Sequence, residues 1–322
     1  MLETFEKTYE EYSIRTDLGG FKLQRIELNE LAKPDKIRLL KALEQIGKNN
    51  IRNDLYSSLL QILPQSMLKD KEFLSRYLLL AAILDQQADS GSARKTVVEI
   101  YRKYGDPFFT NPRKFLNNFD SVMSLALKIY QPKMRISRIK KEGIVLMRLG
   151  GFLLALLSLE RQHGRLATYL KSLRNPQNML SAMLNDRYLK GLLYEKAARM
   201  YVGWITHPNL YVNIFDGSVS LSSIPMPIDG HVCKVFARTG FLDTVLVEEK
   251  GKGENKKFIV RADHERKRIE RMVHKYYPQG DYFMIDYGAF YVGINCCKET
   301  SPRCNKCPVN RICLRNTFVR AY

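Results

Sequence analysis

The chain has 322 residues, and its 52 Lys and Arg against 33 Asp and Glu give a formal charge of +19. The ordinary apolar fraction excludes a disordered tail, and the length allows one or two globular domains. So large a positive excess disfavours the compact state by self-repulsion and points to an anionic partner, with nucleic acid the first candidate.

The opening Met1-Leu2-Glu3-Thr4-Phe5-Glu6 is acidic and has no apolar run, so no signal peptide is expected. Apolar residues at three- and four-residue steps predict helices over 37–46, 55–63, 73–84, 95–104, 120–130, 143–159, 166–173, 179–184 and 194–205. The most apolar stretch, 150–159, is flanked by Arg148, Glu160 and Arg161. It has about half the roughly twenty residues that a membrane span needs, so it reads as a buried helix. An intracellular chain with no membrane partner is therefore expected, and no obligate protein partner is evident. Residues 207–227 hold Pro208, Gly217, Pro225 and Pro227 and read as a long irregular connection. A helix is expected from Asp229 to about Thr239, then a charged loop over 248–255 and a short strand at Phe258-Ile259-Val260. A charged helix over 262–277, a short helix before Gly288 and a loop-like cysteine segment complete the chain.

Two basic concentrations stand out. Residues 131–174 carry Lys133, Arg135, Arg138, Lys140, Lys141, Arg148, Arg161, Arg165, Lys171 and Arg174 against Glu142 and Glu160, and the second concentration lies between Lys256 and Lys275. Such runs are usually solvated helix faces, and on a chain this basic they are also candidates for phosphate contact.

Six cysteines in an intracellular chain suggest metal binding before disulfides. Cys297 and Cys304 are separated by six residues, Cys304 and Cys307 by two, and Cys307 and Cys313 by five. Four thiolates on one cluster need tight loops between them, which Pro302 and Pro308 suit. Zinc is the main rival, but zinc sites usually show two short Cys-x₂₋₄-Cys knuckles, and here there is one. Cys296 is a register alternative to Cys297 that lengthens the first gap to seven, and Cys233 reads as a buried helix residue.

The Cys-x₆-Cys-x₂-Cys-x₅-Cys spacing, preceded by Tyr287-Gly288-Ala289-Phe290, resembles the cluster loop of the endonuclease III superfamily of DNA glycosylases. Upstream, Pro227-Ile228-Asp229-Gly230-His231-Val232 is similar to that family's Val-Asp-Thr-His segment, with Arg238 where the family usually has a basic residue. The resemblance makes Asp229 the catalytic carboxylate. The physics agrees: Asp is a preferred helix N-cap, the helix dipole keeps it ionised, and an anion there stabilises an oxocarbenium sugar cation. Leu189-Lys190-Gly191-Leu192-Leu193-Tyr194-Glu195-Lys196-Ala197-Ala198 looks like a degraded helix–hairpin–helix motif that keeps Gly191 and has Leu193 for the second glycine. Two alignments are open. One puts Glu195 where bifunctional members carry a Schiff-base lysine, and the other, with one extra hairpin residue, puts Lys196 there. Ile83-Leu84-Asp85-Gln86-Gln87-Ala88-Asp89 resembles the loop that wedges a Gln, here Gln86, into the gap left by a flipped base. Ala82 stands where adenine glycosylases keep an acid, which argues against adenine-mismatch activity.

The resemblance covers roughly residues 78–314. It implies an all-α chain, with a helical barrel over 73–205 that carries the degenerate hairpin. A discontinuous second domain, 1–72 and 206–322, would hold Asp229 and a [4Fe–4S] cluster on Cys297, Cys304, Cys307 and Cys313. The expected activity is excision of a damaged or modified base from double-stranded DNA, flipped into a cleft between the domains, with AP-lyase chemistry if Lys196 is the nucleophile. Gln86, Lys190, Gly191, Lys140 and Lys141 are the expected DNA contacts. Two alternatives stand beside this reading: a non-catalytic iron–sulfur DNA-binding protein of the same fold, and a glycosylase acting on RNA.

Overall fold

The computed structural model describes residues 23–86, 88–133, 136–217, 219–250 and 257–321. The first twenty-two residues, Arg135 of the first basic run and residues 251–256 of the charged loop lie outside the described residues.

In chain order, a strand β1 (Leu23–Glu27) and a long helix α1 (Lys33–Leu55) come first. Ten helices follow: α2 (Gln65–Lys69), α3 (Lys71–Leu84), α4 (Ser90–Tyr104), α5 (Pro107–Thr110), α6 (Pro112–Asn117), α7 (Phe119–Ile129), α8 (Arg138–His163), α9 (Leu166–Ser172), α10 (Pro176–Asn185) and α11 (Glu195–Thr206). After the long connection come α12 (Gly230–Thr239), β2 (Thr244–Lys250), β3 (Lys257–Val260), α13 (Ala262–Tyr276), α14 (Tyr282–Asn295) and β4 (Val319–Arg320). The chain is mostly helical, but it is not all-α: the strands form one sheet in the order β1-β2-β3-β4. The first two pairings are antiparallel, and β4 joins β3 in parallel, with Val319 opposite Phe258.

The chain divides into two compact units. The first spans Asp54–Val219, wider than the expected 73–205 because flanking segments bond into it. The Tyr77 hydroxyl donates to Leu59 O at 2.8 Å, Ile214 N–H to Ile205 O at 2.8 Å, and Lys71 Nζ pairs with Asp216 at 2.5 Å. Its central helix is α3, buried on every face from Glu72 to Leu84, as expected of a helix that is apolar all round. Asp70 starts it by accepting from the N–H groups of Glu72 and Phe73. Its Phe73 and Tyr77 join Phe108, Phe109 and Phe152 in an aromatic cluster, edge to face, tilted and stacked, at 5.1–6.3 Å between ring centroids. Helix α8 runs 26 residues and is long and apolar enough to cross a membrane, but 56% of its most apolar window is buried inside the protein. Glu72 is also buried, and its carboxylate caps α9 by accepting from Leu166 N–H at 3.0 Å and Ala167 N–H at 2.7 Å while Arg76 neutralises it.

The second unit joins the described residues 23–53 to 220–321. Its apolar core takes side chains from α1, α12, α13, α14 and the sheet, Leu39, Leu43, Phe236, Val247, Ile269 and Ile285 among them. Helix α14 runs through Gly288 rather than ending before it. A Cβ built on Gly288 would lie 1.9 Å from Leu43 O, and one on Gly47 would lie 2.0 Å from Met284 O. Glycine therefore lets α1 and α14 touch backbone to backbone. Gly288→Ala is expected to destabilise the second unit by about 3 kcal/mol, the upper end of the overpacking range, because the obstructing atom is a helix carbonyl that cannot rotate aside. Chemical denaturation checks this, and an unchanged midpoint would show that the helices can separate freely.

Candidate functional site

The cysteine segment begins where α14 ends. Cys297 N–H bonds back to Val292 O at 2.8 Å, and Arg303 N–H donates to Cys296 O at 2.8 Å, folding the six-residue gap into a closed loop. A single 3₁₀ turn, Cys304–Lys306, sets the two-residue gap, and Cys313 N–H bonds to Val309 O at 3.1 Å. Cys296, Cys297, Cys304, Cys307 and Cys313 are free thiols, each half-buried, and Cys233 is buried on α12. Burial, reinforced by thiol neighbours, pushes Cys307 up to about 12, and it also raises Cys296 and Cys313. Cys307 lies within electrostatic reach of Cys296, Cys297 and Cys313, and Cys313 within reach of Cys297 and Cys304. The Cys296 thiol hydrogen-bonds with that of Cys307.

The segment is held by two buried cations one turn apart on α12, and the sequence reading gave neither this task. Arg238 is 1% exposed. Its guanidinium donates to Cys297 Sγ at 3.6 Å, Lys298 O at 2.8 Å, Glu299 O at 3.4 Å and Val319 O at 2.6 Å. Cys313 Sγ donates to Arg238 O at 3.5 Å, and Arg315 N–H donates to Cys313 Sγ at 3.3 Å. Lys234, fully buried, pairs with Glu299, which also accepts from Ala321 N–H at 3.0 Å. Burial alone would raise Glu299, but Lys234 and the Ala321 amide outweigh it and hold the carboxyl below its usual range. A four-residue spacing on a helix puts Lys234 and Arg238 on one face. Two cations on an otherwise apolar helix face were the available signal.

The donor set is all thiol, with a guanidinium and backbone N–H groups aimed at sulfur, and these residues could hold an iron–sulfur cluster. Among the described residues no three His, Cys, Asp or Glu side chains converge on one ion position.

Asp229 is the N-cap of α12, its carboxylate accepting from Val232 N–H at 3.0 Å. The helix behind it is buried continuously from Val232 to Thr239 and ends on Gly240 in the left-handed region, at φ 84°. Ile228, immediately before Asp229, has φ +30°, a region that β-branched residues rarely enter.

In the first unit, residues 186–194 join α10 to α11 as a compact loop. Asp186 accepts from the N–H groups of Tyr188 and Leu189, both at 2.9 Å, and Leu189 O accepts from Leu192 and Leu193, also at 2.9 Å. Gly191 takes φ +89°, so the loop needs glycine there. Leu193 does not share that conformation and is buried. Gln86 is not extended into solvent as a wedge. It is buried, its amide N–H₂ donates to Leu192 O and to Ile83 O at 3.1 Å, and its Oε1 accepts from Tyr194 N–H at 2.7 Å, so it clamps the loop. Lys190 is exposed on the loop and Lys196 is half-buried in the first turn of α11. Glu195 forms an ion pair with Arg199 at 2.8 Å along the helix.

Lys140 is exposed at the start of α8, whereas Lys141 donates to Leu127 O at 2.8 Å, at the C-terminal end of α7. Arg148 is buried against Tyr130 and donates to Leu84 O. In the second unit Lys267, Arg271 and Lys275 lie exposed at four-residue steps on α13. The hairpin, Gln86, Lys140 and Lys141 belong to the first unit, and Asp229 and the cysteines belong to the second. No family model matches the chain, and no curated protein matches it.

Proposed function

We propose that the chain is a DNA glycosylase resembling the endonuclease III superfamily, with Cys297, Cys304, Cys307 and Cys313 as ligands of a [4Fe–4S] cluster. One observation carries the reading. A single buried helix, α12, begins on a half-buried carboxylate, Asp229, and ends on Arg238, whose guanidinium grips the cysteine segment. The carboxylate and the anchor of the cysteine segment thus share one rigid element.

In this reading Asp229 acts by charge. As the C1′–N bond of a flipped nucleotide breaks, the bonding pair leaves with the base, which takes up a proton, and positive charge develops on the sugar. A carboxylate held at a helix N-terminus is kept ionised by the dipole and opposes that charge. Either a water or the Lys196 amine then bonds to C1′. Water yields an abasic site and releases a proton, whereas the amine yields an imine with loss of the ring oxygen as an alcohol, from which the strand is cleaved. Once bound, the cluster would supply a covalent staple for the loop. Electrostatic attraction to the phosphates falls to the exposed Lys140 and to Lys267, Arg271 and Lys275, which stand about 6 Å apart along α13.

Protein purified without oxygen is expected to carry about four irons and matching sulfide per chain. Stoichiometric zinc without iron would remove the cofactor from the reading.

Asp229→Asn keeps an N-cap residue, so stability should change by only a few tenths of a kcal/mol. On a panel of damaged and modified duplexes, base release should fall ~10²-fold or more while duplex binding survives. Wild-type rates in this variant would place the chemistry elsewhere.

Borohydride reduction with an abasic duplex separates the two chemistries of Lys196. A trapped adduct in wild type and none in Lys196→Ala is expected if its amine is the nucleophile. The fold should be unaffected, because Ala is the better helix former. Equal trapping in both would transfer the role to another amine, Lys190 first, and no trapping in either would favour the monofunctional or the non-catalytic reading.

A further inference from the structure

The backbone that leads into Asp229 is held in a costly conformation by residues that no motif marks. Ile224, Met226 and Ile228 are fully buried, so the end of the long connection is packed inside the second unit. Three side chains from two helices hold it there. Met226 N–H donates to Glu270 on α13 at 3.3 Å, Ile228 N–H donates to Asp286 Oδ1 on α14 at 2.8 Å, and Arg266 Nη2 on α13 donates to Ile228 O at 3.4 Å. Asp286 and Arg266 therefore grip the two peptide groups on either side of the Ile228 Cα. The second of those is the peptide that continues into Asp229.

Ile228 sits at φ +30°, where its branched Cβ crowds the backbone. Helix capping does not require this, because an N-cap residue needs only its own extended backbone, and Asp229 has that at φ −107° and ψ −174°. The strained residue is the one before the cap. Strain of this kind persists only where surrounding contacts impose it, and it is concentrated where a side chain must be aimed. A buried N–H also needs an acceptor, which any polar side chain could supply. The pairing of an acceptor on one helix with a guanidinium on another, across a residue in the left-handed region, sets a direction as well as satisfying a bond.

We propose that Asp286, aided by Arg266, is a positioning residue that holds the strained Ile228 peptide and so aims the Asp229 carboxylate at the sugar cation. This rests on the reading of Asp229 given above and extends it to a second carboxylate that never touches the substrate.

The test uses two duplexes that differ only at one abasic position: a cationic pyrrolidine, which mimics the charged sugar, and a neutral tetrahydrofuran. Wild type should prefer the pyrrolidine duplex by at least tenfold, and Asp229→Asn should lose the preference. Asp286→Ala should cut the preference severalfold while leaving affinity for the tetrahydrofuran duplex unchanged. Asp286→Asn keeps an Oδ1 acceptor and should restore it. Should Asp286→Ala fail to fold, Arg266→Gln removes the restraint on the other peptide and should produce the same selective loss. A wild-type preference retained in Asp286→Ala or Arg266→Gln overturns the proposal, as does an equal fall on both duplexes that Asn does not rescue. A wild type with no preference for the cation sinks the reading of Asp229 itself, and the proposal with it.

Discussion

A guanidinium sealed inside a protein must be matched donor for acceptor, or it costs several kcal/mol. In the second unit that demand falls on Arg238, and the C-terminal part of the fold is arranged around it. Its donors reach Lys298 and Glu299 within the cysteine segment, Val319 in β4 and the Cys297 sulfur. Binding Val319 O brings the chain after the cysteines back to β3, which completes the sheet. Lys234 repeats the logic one turn earlier through Glu299, whose second oxygen takes the Ala321 amide. Two cations on one face of α12 thus organise a segment that is poor in regular structure.

Helix α14 transmits the same order to the other end of α12. Its glycines at 288 and 293 allow contact with α1 and α12 at backbone distance, so the three helices pack with little slack. Asp286 lies on this clamped helix, and so does the start of the cysteine segment. The direction of Asp229 and the position of Cys297 are therefore referred to one set of helix contacts. A disturbance of that packing should register at both.

The sequence reveals some of this and hides the rest for identifiable reasons. Helices with an apolar stripe, such as α4 and α7, announce themselves by period, and the Asp229 cap announces itself by residue type. Strand β1 does not. It pairs with β2 from more than two hundred positions away, and nothing local marks the partner. In β2 the apolar run Val245-Leu246-Val247 is short and gives way to Glu248, Glu249 and Lys250, which reads as the start of a loop. The two residues of β4 are too few to carry a pattern. Gln86 was legible as a special residue but not in its orientation, because the same amide that could enter a duplex also satisfies the loop carbonyl at Leu192 and the amide at Tyr194. The unit boundaries were hidden in the same way: Asp216 belongs to the first unit through ion pairs with Lys71 and Lys171, which no periodicity predicts.

Net charge, the first clue, is the one the fold redistributes most. Arg76, Arg148, Arg199, Lys234, Arg238 and Arg266 are all buried, and each satisfies carbonyls or carboxylates of its own unit. Arg268 and Arg261 are half-buried and pair with Asp243, Glu265, Glu248 and Asp263. A surplus counted over the whole chain therefore overstates what a partner meets, and its location matters more than its size. What stays in solvent on α13 is a line of Lys267, Arg271 and Lys275 with His264 and His274 beside it. Its four-residue repeat places one cation about every 6 Å, close to the spacing of every second phosphate on a strand with one charge per about 3.4 Å. A row with that repeat can neutralise every second phosphate of a strand without reading bases, so its contribution to any nucleic-acid contact would be affinity and orientation rather than sequence discrimination.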